Sequence, residues 1–432
     1  MGIVWKKVMF MDLFANEKLE DIEQKVVLVG VDFGKYDIEE SMMELKNLVE
    51  AAGAVVLDQV IQNREKVDAA YYIGKGKIEE IKNIAEFHNA NTIVFNDELS
   101  GAQIRNIGNE TDIKVIDRTT LILDIFALRA KTRIAKLQVE LAQLKYRLPR
   151  LKGFGNSLSK LAGGIGTRGP GEQKLELDRR KIDKRISDIR HLLKEAESDR
   201  ETQRGLRRKS EILLVALVGY TNSGKSTLMN LVLNKFESEG SEVFVKDMLF
   251  ATLDTSVRKI SLDKNRTFLL SDTVGFVSKL PHSLVEAFKA TLEEVVEADV
   301  LIHVVDSSNE NFSTQIEITN NVLSEIGADD KKNIYVFNKV DLLNREIDTE
   351  YSHIPVSAKM GIGIDRLIEE ISNILFTNLK QVSFMIPYSE GSVLSDIMTK
   401  CETIEMNHKN DGTEIIVIAD TIIRNRYQKY IV

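Results

Sequence analysis

The sequence predicts an α/β protein in four parts: an N-terminal parallel α/β domain (1–120), an antiparallel helical hairpin arm (121–210), a second α/β domain with a phosphate loop (211–377), and a small C-terminal α+β domain (378–432). Three patterns predict it. Short β-branched runs alternate with polar helical stretches up to residue 118. Leucine-type seams at steps of three and four follow. Further on, the run GYTNSGKS lies between an apolar strand and a helical stretch.

In the first part, VVLVGV (26–31), AVVLDQV (54–60), NTIVF (91–95) and KVIDR (114–118) read as strands. Between them, 38–52, 77–88 and 99–108 read as helices. In the arm, Ile134, Leu137, Leu141, Leu144, Leu148 and Leu151 form one narrow seam, with Pro149 ending or kinking its helix. Ile182, Ile186, Ile189, Leu193 and Ala196 form a second seam, so the two helices can pack as an antiparallel hairpin. A loop with seven glycines, Lys160 and Arg168 joins them (153–172). In the last part, 380–432 reads as a strand, a helix over 389–400, two strands around the turn KNDG (409–412) and a terminal helix.

Composition bounds the function. At 43% hydrophobic and 29% charged residues, the 432-residue chain has the make-up of an ordinary globular protein. The one cysteine, Cys401, excludes an internal disulfide, and no Cys/His cluster has metal-ligand spacing. The opening MGIVWKKVMFMDLF has its apolar run broken by Asp12 and lacks a small-residue cleavage site, and Lys6 argues against myristoylation. No apolar run approaches the roughly 18 residues of a membrane span. The expectation is a soluble, cytoplasmic monomer without membrane insertion. Between Lys131 and Ser210 stand 22 Lys and Arg against 10 Asp and Glu, in a chain whose net charge is −8. Such a basic block points to a polyanionic partner, and the loop over 153–172 can fit a phosphate backbone or serve as a solvated connector.

The third part carries the chemistry. GYTNSGKS (219–226) fits G-x-x-x-x-G-K-[ST]. Gly219 and Gly224 let the backbone of Tyr220, Thr221, Asn222 and Ser223 turn its N–H groups around phosphate oxygens. Lys225 supplies positive charge to the β- and γ-phosphates, and Ser226 gives its hydroxyl to Mg²⁺. DTVG (272–275) adds Asp272 to hold Mg²⁺ through water and the Gly275 N–H to reach the γ-phosphate, with Thr273 and Val274 between. NKVD (338–341) selects the base: the Asp341 carboxylate accepts from guanine N1–H and its exocyclic amine, groups adenine does not offer there. Asn338 braces that loop, Lys339 lies along the base and Val340 completes the turn. SAK (357–359) follows, where the N–H of Ala358, between Ser357 and Lys359, can bond guanine O6. Asn-Lys-x-Asp alone is a common surface tetrapeptide. In order behind a phosphate loop and DTVG, each at a strand end, it marks a P-loop GTPase domain. FATLDTSVR (250–258) offers Thr252, Thr255 and Ser256 as the switch hydroxyl, and the residues alone leave that choice open.

KLQVELAQLKYRLPRL, GGIGTRGPGE, GYTNSGKST, LFATLD and DTVGFVSKLPHSLVEAFKATLEE together resemble the HflX family of ribosome-associated GTPases, over residues 25–375. GEQKLELDRR (171–180) departs from the family's run at several polar positions. The resemblance implies binding of the large ribosomal subunit and its rRNA, with splitting or rescue of stalled ribosomes under stress. It also implies Thr252 as the switch hydroxyl that joins Ser226 on Mg²⁺, with Phe250, Ala251, Leu253 and Asp254 beside the nucleotide.

After Gly275 comes Phe276, where a water-orienting glutamine would stand, and phenylalanine can neither donate nor accept a hydrogen bond. The attacking water must then be held by backbone, by another side chain or by a partner. Asn222 offers one substitute, since an Asn at this position holds K⁺ in GTPases that use that ion in place of an arginine finger. The other reading is that Asn222 only stabilises the loop turn. The expected catalytic set is Lys225, Thr252, Gly275 and Asn222, with Phe276 packed away from the phosphates. Hydrolysis of GTP to GDP and phosphate should be slow alone and faster on the partner. Three alternatives stand beside this reading. The chain is a general RNA-binding protein with a GTP-regulated arm, or a ribosome-assembly GTPase. Otherwise the N-terminal domain holds a phosphate of its own at Gly74, Lys75, Gly76 and Lys77, weighed against a helix-entry turn with solvated lysines.

Overall fold

The computed structural model describes residues 23–34, 36–151, 170–209, 212–236, 256–263, 266–279, 292–343 and 347–432. It divides into two compact units: 1–205 with 246–254 and 274–291, and 206–245 with 255–273 and 292–432.

The first unit is built on a four-stranded parallel sheet of β1 (Lys25–Asp32), β2 (Val55–Asn63), β3 (Thr92–Phe95) and β4 (Lys114–Asp117), in the order β2-β1-β3-β4. Alternate residues face opposite sides. Val26, Leu28, Val94 and Ile116 pack with α1 (Ile38–Ala51) and α4 (Arg118–Arg129). Val27, Val29, Val31, Ile93, Phe95 and Val115 pack with α2 (Lys75–His88) and α3 (Gly101–Thr111). The run out from β1 to β2 and the run from β3 to β4 thus depart in opposite directions, which opens a crevice at the carboxyl ends of β1 and β3.

The caps explain the helix boundaries. Asp37 accepts from the N–H groups of Glu39 and Glu40 at the start of α1. Ser100 and Gln103 form a capping box that starts α3 at Gly101 and carries it to Thr111, past the predicted 99–108. The strand predicted through Arg118 stops at Asp117, whose carboxylate accepts from the N–H of Thr120 and caps α4. Strand–helix alternation did not announce α4, because it follows β4 directly and its start, Asp117-Arg118-Thr119-Thr120, looks like a polar turn in sequence.

Next, α5 (Arg133–Leu151) has Pro149 inside its final described turn. Its Leu141 and Leu144 meet Ile182, Ile186 and Ile189 of α6 (Pro170–Lys209), with Leu137, Leu148, Leu151 and Leu193 at the margins, as the two seams predict. Arg185 grips Glu140 with two hydrogen bonds of 2.7 and 2.8 Å. A second apolar stripe on α5, Ala135, Val139, Ala142 and Tyr146, joins the sheet core beside α1 and α4. The glycine-rich loop, predicted over 153–172, lies outside the described residues apart from its end at 170–172, which falls in α6.

The second unit holds a six-stranded sheet in the order β10-β9-β8-β5-β7-β6. The strands are β5 (Leu213–Val218), β6 (Ser256–Ser261), β7 (Thr267–Asp272), β8 (Val300–Asp306), β9 (Lys332–Asn338) and β10 (His353–Pro355). All pairs are parallel except β6 with β7. Helices α7 (Lys225–Lys235), α8 (Phe312–Ile326) and α9 (Ile364–Leu375) connect and cover them. Beyond lie β11 (Lys380–Ile386), α10 (Gly391–Lys400), β12 (Glu402–Lys409), β13 (Gly412–Ala419) and α11 (Thr421–Arg426). The succession of elements is the one the sequence predicts, and the three strands pair antiparallel in the order β11-β13-β12 around a core that includes the buried free Cys401. Among the described residues no helix is long and apolar enough to cross a membrane.

Asp124 gives this fold a pH dependence. It is buried in α4, accepting from Gln143 at 3.2 Å, and burial pushes its carboxyl up to about 7. The unfolded chain ionises Asp124 near the ordinary carboxyl value, whereas the folded one resists until about 7. Stability is therefore lost as pH rises through that window, by on the order of 4 kcal/mol. Asp124→Asn keeps the hydrogen bond and removes the charge. It should raise the melting temperature at pH 8 and flatten its fall between pH 5 and 8. An unchanged slope would contradict this.

Candidate functional site

The P-loop leaves β5 at its carboxyl end, beside β8, and enters α7 at Lys225. Two positions require glycine. At Gly219, φ is +141° and a Cβ would stand 2.2 Å from the Val304 carbonyl oxygen. At Gly224, φ is +95° and a Cβ would stand 2.1 Å from Asn338 Nδ2. Lys225 is buried, and its ammonium donates to the carbonyl oxygens of Gly219 (3.0 Å) and Tyr220 (2.7 Å). Burial pulls it down to about 8, against the opposing charge of Asp272.

Ser226 Oγ donates to Asp272 Oδ2 at 2.6 Å, so a hydroxyl and a carboxylate from α7 and β7 converge on one point. Hard oxygen donors of this kind suit Mg²⁺. Asn222 is exposed and sits at φ +62°, a left-handed conformation that Asn tolerates. Phe250, Ala251, Thr252, Leu253 and Asp254 lie outside the described residues.

At the ends of β8, β9 and β10 the base loops are bound to one another and to the P-loop. The buried Asn338 amide donates to the Ser223 carbonyl oxygen at 2.8 Å and accepts from the Ala358 N–H at 2.9 Å. The Ala358 N–H expected to face guanine O6 is therefore engaged by Asn338. Asp341 accepts from Ser357 Oγ at 2.5 Å, which fixes the carboxylate's direction. Lys359 follows, exposed. Lys339, at φ +66°, donates to Asp306 Oδ2 at 2.6 Å. Sequence reading missed Asp306. Its signal was the Asp ending the run VLIHVVD, at the same strand-end level as the motifs.

The unit boundary falls inside DTVG. Asp272 and Thr273 belong to the second unit, where Thr273 Oγ1 donates to the Leu217 carbonyl oxygen at 2.5 Å. Val274, Gly275 and Phe276 belong to the first unit, and Phe276 is 2% exposed.

At Gly74 the structure favours the helix-entry turn. The Gly74 N–H donates to Gln62 Oε1 at 2.9 Å, and Lys77 is paired with Glu80.

A loop of the P-loop pattern, a hydroxyl–carboxylate pair and an interlocked Asn-Lys-x-Asp loop at the strand ends of one mainly parallel sheet define a P-loop GTPase domain. Residues 214–339 match the family described as 50S ribosome-binding GTPase. Residues 39–127 and 129–207 match the N-terminal and middle regions of a GTP-binding GTPase. The chain is 45% identical over 416 residues to the GTPase HflX of Caldanaerobacter subterraneus subsp. tengcongensis, covering 96% of each. It is 39% identical to the GTPase HflX of Escherichia coli K12, covering 87% of this chain and 88% of that one. A crystal structure of a GTP-binding protein from Sulfolobus solfataricus with GDP is 26% identical, covering 82% of this chain and 99% of that one at a TM-score of 0.44. The chain belongs to the HflX family of GTPases.

Asn338→Ala would leave the Ser223 carbonyl and the Ala358 N–H without their shared partner, at about 1–3 kcal/mol each. GDP affinity should fall tenfold or more, together with the melting temperature. Asp306→Ala should release Lys339 and weaken GDP less, with the fold intact. Titration calorimetry checks both, and unchanged affinity in the Asn338 variant would contradict the assignment.

Proposed function

We propose that this GTPase is a Mg²⁺-dependent switch on the large ribosomal subunit, which it engages to split or rescue stalled ribosomes, with GTP hydrolysis as the release step. The observation that carries the reading is the linkage of Ser223, Asn338 and Ala358, which joins phosphate and base recognition into one site. The family's 50S ribosome-binding description supports the partner.

In this reading the four-part division holds, with the arm at 121–210 meeting rRNA. The arm's charge is unevenly spread: from Glu176 to Ala196, α6 carries 7 Lys and Arg against 5 Asp and Glu. Arg180–Glu176 and Arg179–Asp183 pairs lace its surface. The largest share of the basic excess lies in Lys131–Lys152, with 7 Lys and Arg against one Glu, and that stretch together with the glycine-rich loop is the proposed contact.

Ser226, Asp272 through water, and Thr252 would hold Mg²⁺, which when bound neutralises charge on the β- and γ-phosphates. Lys225 exchanges its carbonyl partners for phosphate oxygens. The N–H groups of 219–226 cradle the α/β-phosphates, Asp341 reads guanine, and the Gly275 N–H receives the γ-phosphate. Phe276 supplies no hydrogen bond to the attacking water, so partner or backbone groups, or K⁺ beside Asn222, complete its positioning.

Sucrose-gradient sedimentation tests the partner. The protein should travel with the large subunit when bound to a non-hydrolysable GTP analogue and leave it with GDP. Absence from ribosomal fractions in both states would overturn the ribosome assignment. For base recognition, Asp341→Asn should weaken GTP and favour xanthosine triphosphate, whose 2-oxo group needs a donor. Retained preference for GTP would contradict it. For the water, K⁺ in place of Na⁺ should raise basal turnover, and Asn222→Ala should erase the difference. Equal rates in the two salts would remove K⁺ from the account.

A further inference from the structure

The chain that follows the switch glycine is built into the first unit. Val274 and Val277 belong to the same apolar core as Met42, Leu45, Leu121 and Ile122, and Val277 is fully buried. Ser278 and Lys279 then enter a polar cluster. Ser278 Oγ donates to Glu44 and accepts from Arg118 Nη2 at 2.9 Å, while Arg118 pairs with Glu44. Arg118 is 1% exposed, and its Nη1 donates to Asn96 Oδ1 at 2.8 Å. Asn96 in turn donates to Ser41 Oγ at 2.9 Å. A buried ion pair persists only when its hydrogen bonds are met, and Ser278 meets one of them.

Lys279 is held more unusually. Its backbone is left-handed at φ +54°, a conformation that strains a residue with a long side chain. The side chain offsets this by donating to Asp97 Oδ1 at 2.6 Å and Tyr36 Oη at 2.8 Å, with the ammonium 4.2 Å from the Tyr36 ring centre. Tyr36 follows β1, and Asn96 and Asp97 follow β3, so the cluster fills the crevice at the sheet's topological switch point. Open α/β sheets bind their ligands there. In this protein the occupant is its own chain, three and four residues beyond Gly275.

We propose that Glu44, Arg118, Asp97 and Tyr36 are positioning residues for GTP hydrolysis: through Ser278 and Lys279 they fix the chain that carries Gly275. The proposal rests on reading Asp272–Gly275 as the γ-phosphate switch. Hydrolysis without a water-orienting side chain depends on placing backbone groups, and errors near an ångström are costly. Releasing Lys279 frees the segment, so ordering it again must accompany each turnover. Nucleotide affinity rests on 219–226 and 338–341, and stays.

The test measures kcat and KM for GTP and Kd for GDP in the full-length protein. Asp97→Asn and Lys279→Met should lower kcat at least tenfold, with KM and Kd within threefold. Lys279→Arg, which keeps the charge, should retain kcat within threefold. Lys279→Gly separates the role from simple destabilisation, because glycine accepts φ +54° without strain. Its melting temperature should hold while kcat falls as in Lys279→Met. The proposal is overturned if kcat stays within threefold in the uncharged variants, or rises. It is also overturned if KM and Kd deteriorate in parallel with kcat. A parent protein that binds guanine nucleotides but never hydrolyses GTP would instead remove the switch reading itself, and this proposal with it.

Discussion

One buried side-chain amide holds the nucleotide site together. Asn338 ends β9, donates to the Ser223 carbonyl of the P-loop and accepts from the Ala358 N–H beyond β10. The loop backbones it joins would otherwise be buried with unmet polar groups, which is costly in a low-dielectric interior. It also dictates sequence elsewhere: Gly224 must be glycine because any Cβ there would strike Asn338 Nδ2. Asp341 is held by Ser357 and Lys339 by Asp306, so each is oriented by a neighbour from another strand end.

Why these contacts assemble at one edge follows from the sheet. Parallel strands place their carboxyl ends on the same side, and the order β10-β9-β8-β5-β7-β6 puts the P-loop strand between β8 and β7. Asp272, Asp306 and Asn338 each end a strand of that sheet. β5 and β8 are near-continuous apolar runs buried on both faces, as central parallel strands are, and the polar residues stand at or just beyond the ends of the runs.

Much of this was legible in the sequence because the motifs report backbone geometry as well as chemistry. G-x-x-x-x-G-K-[ST] announces both the positive-φ turns and the ammonium, and its place after ILLVALV fixes the strand end. The two arm seams were visible because Leu and Ile recur at helical spacing. Other features were hidden for physical reasons. The second stripe of α5, Ala135, Val139, Ala142 and Tyr146, is made of small or amphipathic residues that raise little apolar signal. Asp306 acts through Lys339, and a single Asp carries no spacing. Arg118 and Asp117 look like a polar turn in sequence. In the fold, Arg118 is nearly fully buried and Asp117 accepts from Tyr146 Oη at 2.5 Å, pairings over long separations that no local pattern contains.

In the proposed function the strand ends of the second unit form one guanine-specific site, with Asp341 reading the base from a scaffold set by Asn338. Calorimetric titration of the full-length protein with GDP, inosine diphosphate and ADP in Mg²⁺ tests that specificity. Such a site should give saturable binding of GDP, weaker binding of inosine diphosphate, which lacks the 2-amino group, and no measurable heat of binding with ADP. Equal affinity for GDP and ADP would contradict it.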